Sequence, residues 1–115
     1  MDDYDSGSKP EWIENVSAKL RVVIKLANEK HKLSAFAETG NEFLKDSVWF
    51  TNRLAKAIEP ADIQSQISYV LIWRNDPRVH FYFSYPGHAS EADARQFLDQ
   101  PWMLLLNDWN AIKNK

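Results

Sequence analysis

The fold is set by the stretch Leu33-Ser-Ala-Phe-Ala-Glu38-Thr-Gly40. Every residue from Leu33 to Ala37 is apolar or small and the pattern does not alternate, which is typical of a short strand that is covered on both faces. The run then ends on a carboxylate and a glycine. Because an unpaired acid at the end of a buried strand is costly, Glu38 is predicted to have a partner or a function.

Helical patterns lie on both sides of this strand. Apolar residues recur every three or four positions from about Pro10 to Lys30, which predicts an amphipathic helix. A second helix is predicted to start at Asp46 or Ser47 and to end at Ile58, because Pro60 disfavours helical geometry in the residue before it. The segment from Ala61 to Gln66 is either a polar connector or a short helix.

A second strand and a third helix follow. The segment from Ile67 to Trp73 is rich in β-branched and aromatic residues, as strands are. Ser90, with Asp93 three residues later, has the pattern of a capping box and predicts a helix that ends near Asp99.

The other segments are predicted to be irregular. Residues 1–10 are polar and turn-like, and Arg78 to His88 form an aromatic loop that packs against the body. The apolar segment from Trp102 to Leu106 is expected to dock on the body, and Asn107 to Lys115 to fray.

The order of the elements predicts an α/β protein with parallel strands. In such a sheet the carboxyl ends of the strands are where ligands and catalytic groups gather, and Glu38 is at such an end. Only two strands are predicted with clear patterns, and two strands cannot close a barrel without leaving unpaired edges. Residues 1–115 are therefore interpreted as a single partial domain of a larger α/β architecture.

Composition excludes several classes of protein. The chain is 44% hydrophobic and 26% charged, as globular proteins are, and its net charge of −2 gives no sign of a nucleic acid or an anionic membrane as partner. The absence of cysteine excludes disulfides, thiolate metal sites and a cysteine nucleophile. No convergent set of ligands predicts a metal ion or another cofactor. The start of the chain lacks the apolar region of a secretory signal.

Aromatic residues are abundant, at 13% of the chain. The simpler explanation is a well-filled core, because aromatic side chains bury large areas. The alternative is sugar binding, in which the flat face of a pyranose stacks on an aromatic ring.

Four short motifs in order resemble the C-terminal part of a glycoside hydrolase family 26 β-mannanase. They are Glu38-Thr39-Gly40 after the first strand, Trp49-Phe50-Thr51, Trp73-Arg74-Asn75 after the second strand, and Tyr85-Pro86-Gly87-His88. The opening Asp2-Asp3-Tyr4 is similar to the end of that family's sixth strand. The resemblance covers nearly the whole chain and implies about strands 7 and 8, with their flanking helices, of a (β/α)8 TIM barrel.

The resemblance also implies an activity and a set of site residues. The family hydrolyses internal β-1,4 mannosidic bonds of mannan with retention of configuration, and Glu38 is similar to its nucleophile. Tyr4 would hydrogen-bond near the nucleophile, and Trp73 would stack under the sugar at the cleavage point. Arg74 and His88 would bind hydroxyls of a neighbouring mannose. Asp5 stands where many members carry an amide.

Each of these residues also has a purely structural interpretation. Glu38 could cap a loop, Trp73 could belong to the core, and His88 could be an ordinary turn residue after Pro-Gly. Arg74 could pair with Asp76 as a solvated salt bridge.

The family's acid/base glutamate lies on the fourth strand, before the part that this chain resembles. The chain is therefore expected to hydrolyse mannan poorly or not at all by itself. The expected partners are β-mannan or mannooligosaccharides and either the remainder of the barrel or a second copy joined through the exposed strand edges. The alternative function is a non-catalytic carbohydrate-binding or barrel-assembly unit. Family members are often secreted or attached to the cell surface.

Overall fold

The sheet has three parallel strands in the order β1-β2-β3. The computed structural model describes all 115 residues, and the strands are β1 (Asp2–Tyr4), β2 (Ser34–Gly40) and β3 (Ile67–Ile72). The sheet does not close into a barrel, and β1 and β3 are its edges. The predicted α/β class with parallel strands is confirmed.

Helices connect the strands. The long helix α1 (Trp12–Glu29) joins β1 to β2, and a six-residue π-helix (Phe50–Ala55) continues into α2 (Lys56–Ile58). The short helix α3 (Ala61–Gln64) precedes β3. A 3-10 turn (Glu42–Leu44) follows β2, and α4 (Glu91–Leu98) and α5 (Leu106–Lys113) end the chain. None of the helices combines the length and the hydrophobicity that crossing a lipid bilayer requires.

The core lies between the sheet and the helices. Helix α1 contributes a buried stripe to it, and Phe36 of β2 is fully buried against the same cluster. The π-helix and α4 pack on the same core through the rings of Phe50 and Phe97, whose centroids are 5.9 Å apart. The helix-facing residues of β3, Val70 and Ile72, pack on the edge of this cluster.

Several predictions about the elements are wrong in detail. Residues 2–4 form a strand although their sequence is polar, because β1 is an edge strand of only three residues and pairs with the end of β2. Leu33 lies outside β2 and is 88% exposed. The sheet is covered on one face only, so Tyr69 and Leu71 of β3 are exposed.

The end of the chain also differs from the prediction. Trp102 and Met103 pack on the core, but Leu104 and Leu106 are exposed, so the apolar segment docks only in part. The residues predicted to fray form α5, none of whose residues is buried.

Asp93 does not complete a capping box with Ser90, because the side chain of Ser90 makes no cap hydrogen bond. Instead the Asp93 carboxylate accepts hydrogen bonds from the backbone N–H groups of Phe50 (2.8 Å) and Thr51 (3.3 Å) and from the Thr51 hydroxyl. A long-range contact to the start of the π-helix therefore replaces the local one.

Candidate active site on the open face of the sheet

A β-bulge turns Glu38 away from the helices. Between Phe36 and Thr39 the register with β3 shifts, because these two residues pair with Val70 and Ile72, which are one residue closer together. Burial along β2 changes phase at the same place: Phe36 and Thr39 are fully buried, whereas Ala37 and Glu38 in between are only partly buried. An extra residue of this kind re-aims the side chains that follow it. Glu38 therefore lies on the face that no helix covers, which is called the open face below.

Tyr4 reaches the same face from β1. Its hydroxyl donates a hydrogen bond to Glu38 Oε2 at 3.2 Å. The preceding residue, Asp3, faces α1, where it accepts hydrogen bonds from Trp12 Nε1 (2.9 Å) and Lys19 Nζ (2.6 Å). Because side chains alternate along a strand, Tyr4 must point to the opposite, open face.

The surroundings of Tyr4 favour its protonated form. Partial burial, the hydrogen bond to Glu38 and the negative charge of that carboxylate together raise the pKa of Tyr4 to about 12. The Tyr4 hydroxyl therefore stays a donor at any pH near neutrality. A carboxylate that accepts a hydrogen bond from a permanent donor is stabilised in its charged form.

Gly40 leaves room for the ring of Tyr82 beside the hydrogen-bonded pair of Tyr4 and Glu38. Tyr4 and Gly40 are register partners, and a Cβ at Gly40 would lie 2.4 Å from Cδ1 of Tyr82. The ring of Tyr82 therefore lies directly on the backbone of Gly40. It meets the ring of Tyr4 edge-on, with the centroids 5.5 Å apart. The sequence gives no local signal for this contact, because Tyr82 and Gly40 are distant in the chain.

Trp73 follows β3 next to the end of β2. Its backbone N–H donates to the carbonyl of Thr39 at 2.9 Å, which places Trp73 beside the carboxyl end of β2, next to the residue that follows Glu38. Because Val70 and Ile72 face the core, alternation puts Trp73 on the open face. The indole is half-buried.

Arg74 and His88 lie further out and do not contact Glu38 or Tyr4 by hydrogen bonds. The guanidinium of Arg74 is 66% exposed and approaches Asp76 Oδ2 only to 3.9 Å, while Arg78 makes the closer ion pair with Asp76 at 2.9 Å. His88 Nδ1 lies 2.9 Å from Ser90 Oγ and accepts from the Ser90 backbone N–H at 3.2 Å. With Nδ1 as the acceptor, Nε2 carries the proton and is free to donate.

Asp5 does not line the site but holds the segment after β1. Its side chain is fully buried and accepts hydrogen bonds from Trp49 Nε1 (3.0 Å), from Gly7 N (2.8 Å) and from the guanidinium of Arg53. The backbone carbonyl of Asp5 accepts from Asn41 Nδ2 at 2.8 Å, next to Gly40. A buried carboxylate needs such a cationic partner. Asp5 thus ties β1 to the π-helix and to the end of β2.

No group of three or more His, Asp and Glu side chains lies close enough to bind a metal ion. The open face instead combines a hydrogen-bonded carboxylate, a permanent hydroxyl donor and an indole at the carboxyl ends of three parallel strands. This set of groups suits nucleophilic attack on an electrophilic carbon that is held against an aromatic face.

The fold and the open-face geometry can be compared with solved structures. A GH26 β-mannanase from Bacteroides ovatus is 32% identical with a TM-score of 0.82, and the alignment covers 93% of this chain and 30% of that one. The chain is similar to glycoside hydrolase family 26 enzymes. GH26C from Muricauda sp. aligns with a TM-score of 0.80 at 27% identity, over 94% of this chain and 30% of that one.

A third GH26-type relative is a modular endo-β-1,4-mannanase from Cellulomonas fimi. It is 29% identical with a TM-score of 0.77, and the alignment covers 93% of this chain and 25% of that one. This glycoside hydrolase-like chain thus spans between 25% and 30% of the length of these three solved structures. No protein-family model and no curated protein sequence matches it. The resemblance to the C-terminal part of family 26 enzymes is confirmed, and so is the relation of the sheet to part of a TIM barrel.

Proposed function

We propose that this chain supplies the nucleophile of a retaining endo-β-1,4-mannanase. In this proposal residues 1–115 are the C-terminal segment of a TIM-barrel catalytic domain. The observation that carries the proposal is the hydrogen bond from Tyr4 to Glu38 on the open face, at the carboxyl ends of the strands. Active sites of TIM barrels are built at this end of the strands.

Glu38 would attack the anomeric carbon and form a glycosyl–enzyme intermediate. Retaining hydrolysis needs two carboxyl groups roughly 5 Å apart, of which one attacks while the other protonates the leaving oxygen. The attacking group must be ionised, and the Tyr4 hydroxyl stabilises that form through its hydrogen bond. The same hydrogen bond fixes the orientation of the carboxylate before substrate arrives.

Trp73, Arg74 and His88 would bind the sugars. The half-buried indole of Trp73, which follows β3 where its backbone pairs with Thr39, would offer an electron-rich face to the positive charge that develops in the transition state. Arg74 has a largely exposed guanidinium, and His88 has a free Nε2–H, so both can donate to mannose hydroxyls.

The acid/base would come from outside this chain. The carboxylate next to Glu38 in the sheet is that of Asp2, its register partner on β1. Asp2 is exposed and lies on the edge strand β1, and the family's acid/base glutamate belongs to a strand that precedes the part this chain resembles. We therefore expect no hydrolysis of mannan by this chain alone.

The uncovered surfaces of the sheet fit the addition of further βα units. Tyr69 and Leu71 are exposed on the open face, although parallel sheets are normally buried on both faces. Along the free edge of β3 runs an apolar cleft of about 500 Å³, lined by Ile67, Val70, Trp102 and Met103 among others. A further strand pairing with β3 would cover this edge and bring the open face into a barrel interior.

The test is co-expression with a polypeptide that carries the remaining strands of a family 26 relative. Mannan hydrolysis should appear only in the combined preparation, and Glu38→Gln should abolish it. Glu29→Gln, at the exposed end of α1, is the matched control and should leave hydrolysis unchanged. Hydrolysis by the complemented Glu38→Gln variant at the rate of the unmodified chain would overturn the proposal.

Sugar binding without hydrolysis is a second candidate, favoured by an aromatic cluster near the site. The ring of Phe81 lies 5.4 Å from those of Phe43, Tyr85 and His88, and Phe43 and Tyr85 are partly exposed. Titration of the chain alone with mannooligosaccharide should then change its tryptophan fluorescence, and Trp73→Ala should remove the change. No change at millimolar sugar would exclude this candidate.

A further inference from the structure

We infer that Tyr82 is a positioning residue that holds the Tyr4 hydroxyl on Glu38. The inference concerns the loop between β3 and α4 and rests on the proposed function only in giving Glu38 a chemical role. It assigns no substrate contact to Tyr82, which would act through Tyr4.

Apart from the hydrogen bond to Glu38, the ring of Tyr82 is the main restraint on the side chain of Tyr4. Tyr4 is the last residue of a three-residue edge strand, and the residue remains 39% exposed. A phenol in this position can rotate about χ1 into solvent and lose its hydrogen bond to Glu38. The structure places the ring of Tyr82 edge-on against it, at a centroid distance of 5.5 Å and an interplanar angle of 60°. Aromatic pairs prefer this arrangement.

Gly40 makes the contact possible. Because Gly40 has no side chain, the ring of Tyr82 occupies the space where a Cβ would lie, and that space is next to the register partner Tyr4. Any other residue at this position would push Tyr82 away from the strand ends. The Glu38-Thr39-Gly40 motif therefore has two functions. Glu38 supplies the carboxylate, and Gly40 leaves the space for the ring of Tyr82, which packs against the hydrogen-bond donor Tyr4.

Asn75 fixes the backbone of Tyr82. Its side-chain oxygen accepts from the N–H groups of Tyr82 and Phe83, both at 2.9 Å, and its Nδ2 donates to the carbonyl of Phe83 at 2.9 Å. The ring of His80 also packs on the ring of Tyr82, with the centroids 5.2 Å apart. Three hydrogen bonds with one side-chain amide therefore hold the backbone from which the ring of Tyr82 projects.

The ionisation of Tyr4 is consistent with this arrangement. The pKa of Tyr4 is raised first by its partial burial, then by Glu38 and, to a smaller extent, by the charge of the Tyr82 phenol. Removing the neighbouring ring would expose the Tyr4 hydroxyl and weaken its bond to the carboxylate, and both effects lower the pKa.

The experiment measures Tyr4 in the full chain by NMR of ring-carbon-labelled tyrosine, assigned with Tyr4→Phe. We expect Tyr82→Ala to change the Cζ shift of Tyr4 at neutral pH and to lower its pKa from about 12 toward the ordinary value of about 10. Tyr82→Phe keeps the ring and should leave Tyr4 nearly unchanged. Tyr69→Ala, an exposed tyrosine on β3, is the control for the loss of a ring elsewhere on the sheet.

A second variant guards against a Tyr82→Ala chain that does not fold. Asn75→Ala releases the backbone of Tyr82 from an exposed loop and should shift Tyr4 in the same direction. In the complemented enzyme, Tyr82→Ala should lower kcat at least tenfold with KM little changed, and Tyr82→Phe should restore kcat.

The outcomes separate the inference from the proposed function. Unchanged Cζ shift and pKa of Tyr4 in folded Tyr82→Ala or Asn75→Ala would overturn the inference, whatever the enzyme does. If Tyr4 responds as expected but complemented Glu38→Gln still hydrolyses mannan, the proposed function fails and the positioning of Tyr4 stands.

Discussion

The two faces of the sheet differ in almost every respect. On the covered face, Phe36 and Thr39 are fully buried under the helices. On the open face, Tyr69 and Leu71 are exposed and Glu38 is only partly buried, although all lie on the same two strands. The bulge between Phe36 and Thr39 places Glu38 on the open face. The covered face therefore accounts for the folding of this chain, and the open face is available for other groups.

The comparison is tested most strongly by truncating one side chain on each face. Phe36→Ala should lower the free energy of unfolding by about 3–5 kcal/mol, because it leaves a cavity in the core. Leu71→Ala should change it by no more than about 0.5 kcal/mol, as surface substitutions do. Denaturant unfolding measures both. Equal losses would show that the open face is covered within this chain.

Leu71→Ala also tests the role of the open face in the complemented protein, in which this chain is combined with the remaining strands of the barrel. If the open face becomes a barrel interior, the same substitution should weaken association with the remaining strands, which titration calorimetry measures. A substitution that is silent in both states would leave the open face without a packing role.

The second prediction compares two ion pairs. Asp5→Ala removes a fully buried carboxylate and leaves Arg53 and Trp49 Nε1 without their partner, so we expect a loss of about 3 kcal/mol of stability. Asp62→Ala removes an exposed pair with Arg21 (2.6 Å) and should cost little, because water screens such pairs. Thermal unfolding distinguishes them. A similar effect of both substitutions would contradict the structural role given to Asp5.

The third prediction concerns pH at the rim of the open face. The hydrogen bonds from Arg78 lower the pKa of Asp76 to about 2, below the value of about 4 in the unfolded chain. The ionised carboxylate therefore stabilises the fold above about pH 4, and this contribution disappears as the pH falls toward about 2. Asp76→Asn should be less stable than the unmodified chain near neutrality, with the difference shrinking on acidification. A constant difference across this range would contradict the assignment.

Local patterns predicted the elements whose stability comes from their own periodicity. Helix α1 and strand β3 lie within a residue or two of their predicted limits. Strand β1 has no such pattern, since only pairing with β2 makes Asp2–Tyr4 extended, and the residues alone indicated a turn. Asp93 shows the same limit, because its contacts to Phe50 and Thr51 replaced the cap that its spacing suggested.

The site was predictable only in part for a similar reason. The strand end made Glu38 conspicuous, and the family resemblance implied a hydrogen bond from Tyr4 near it, which the structure contains. The bulge that orients Glu38 and the contact of Tyr82 with Gly40 depend on residues far apart in the chain. No local sequence pattern therefore predicts them. Arg74 and His88 remain predicted ligands whose roles rest on the resemblance.

Covalent trapping tests most directly whether Glu38 is the nucleophile on a sugar-binding face. A mannobioside that is fluorinated next to the anomeric carbon and carries dinitrophenolate as leaving group needs no acid catalyst, so it reports the attacking group alone. Mass spectrometry of the complemented protein should find the label on the peptide that contains Glu38, with mannobiose protecting it and Glu38→Gln unlabelled. Label on another carboxylate, or none in a preparation that hydrolyses mannan, would contradict the account.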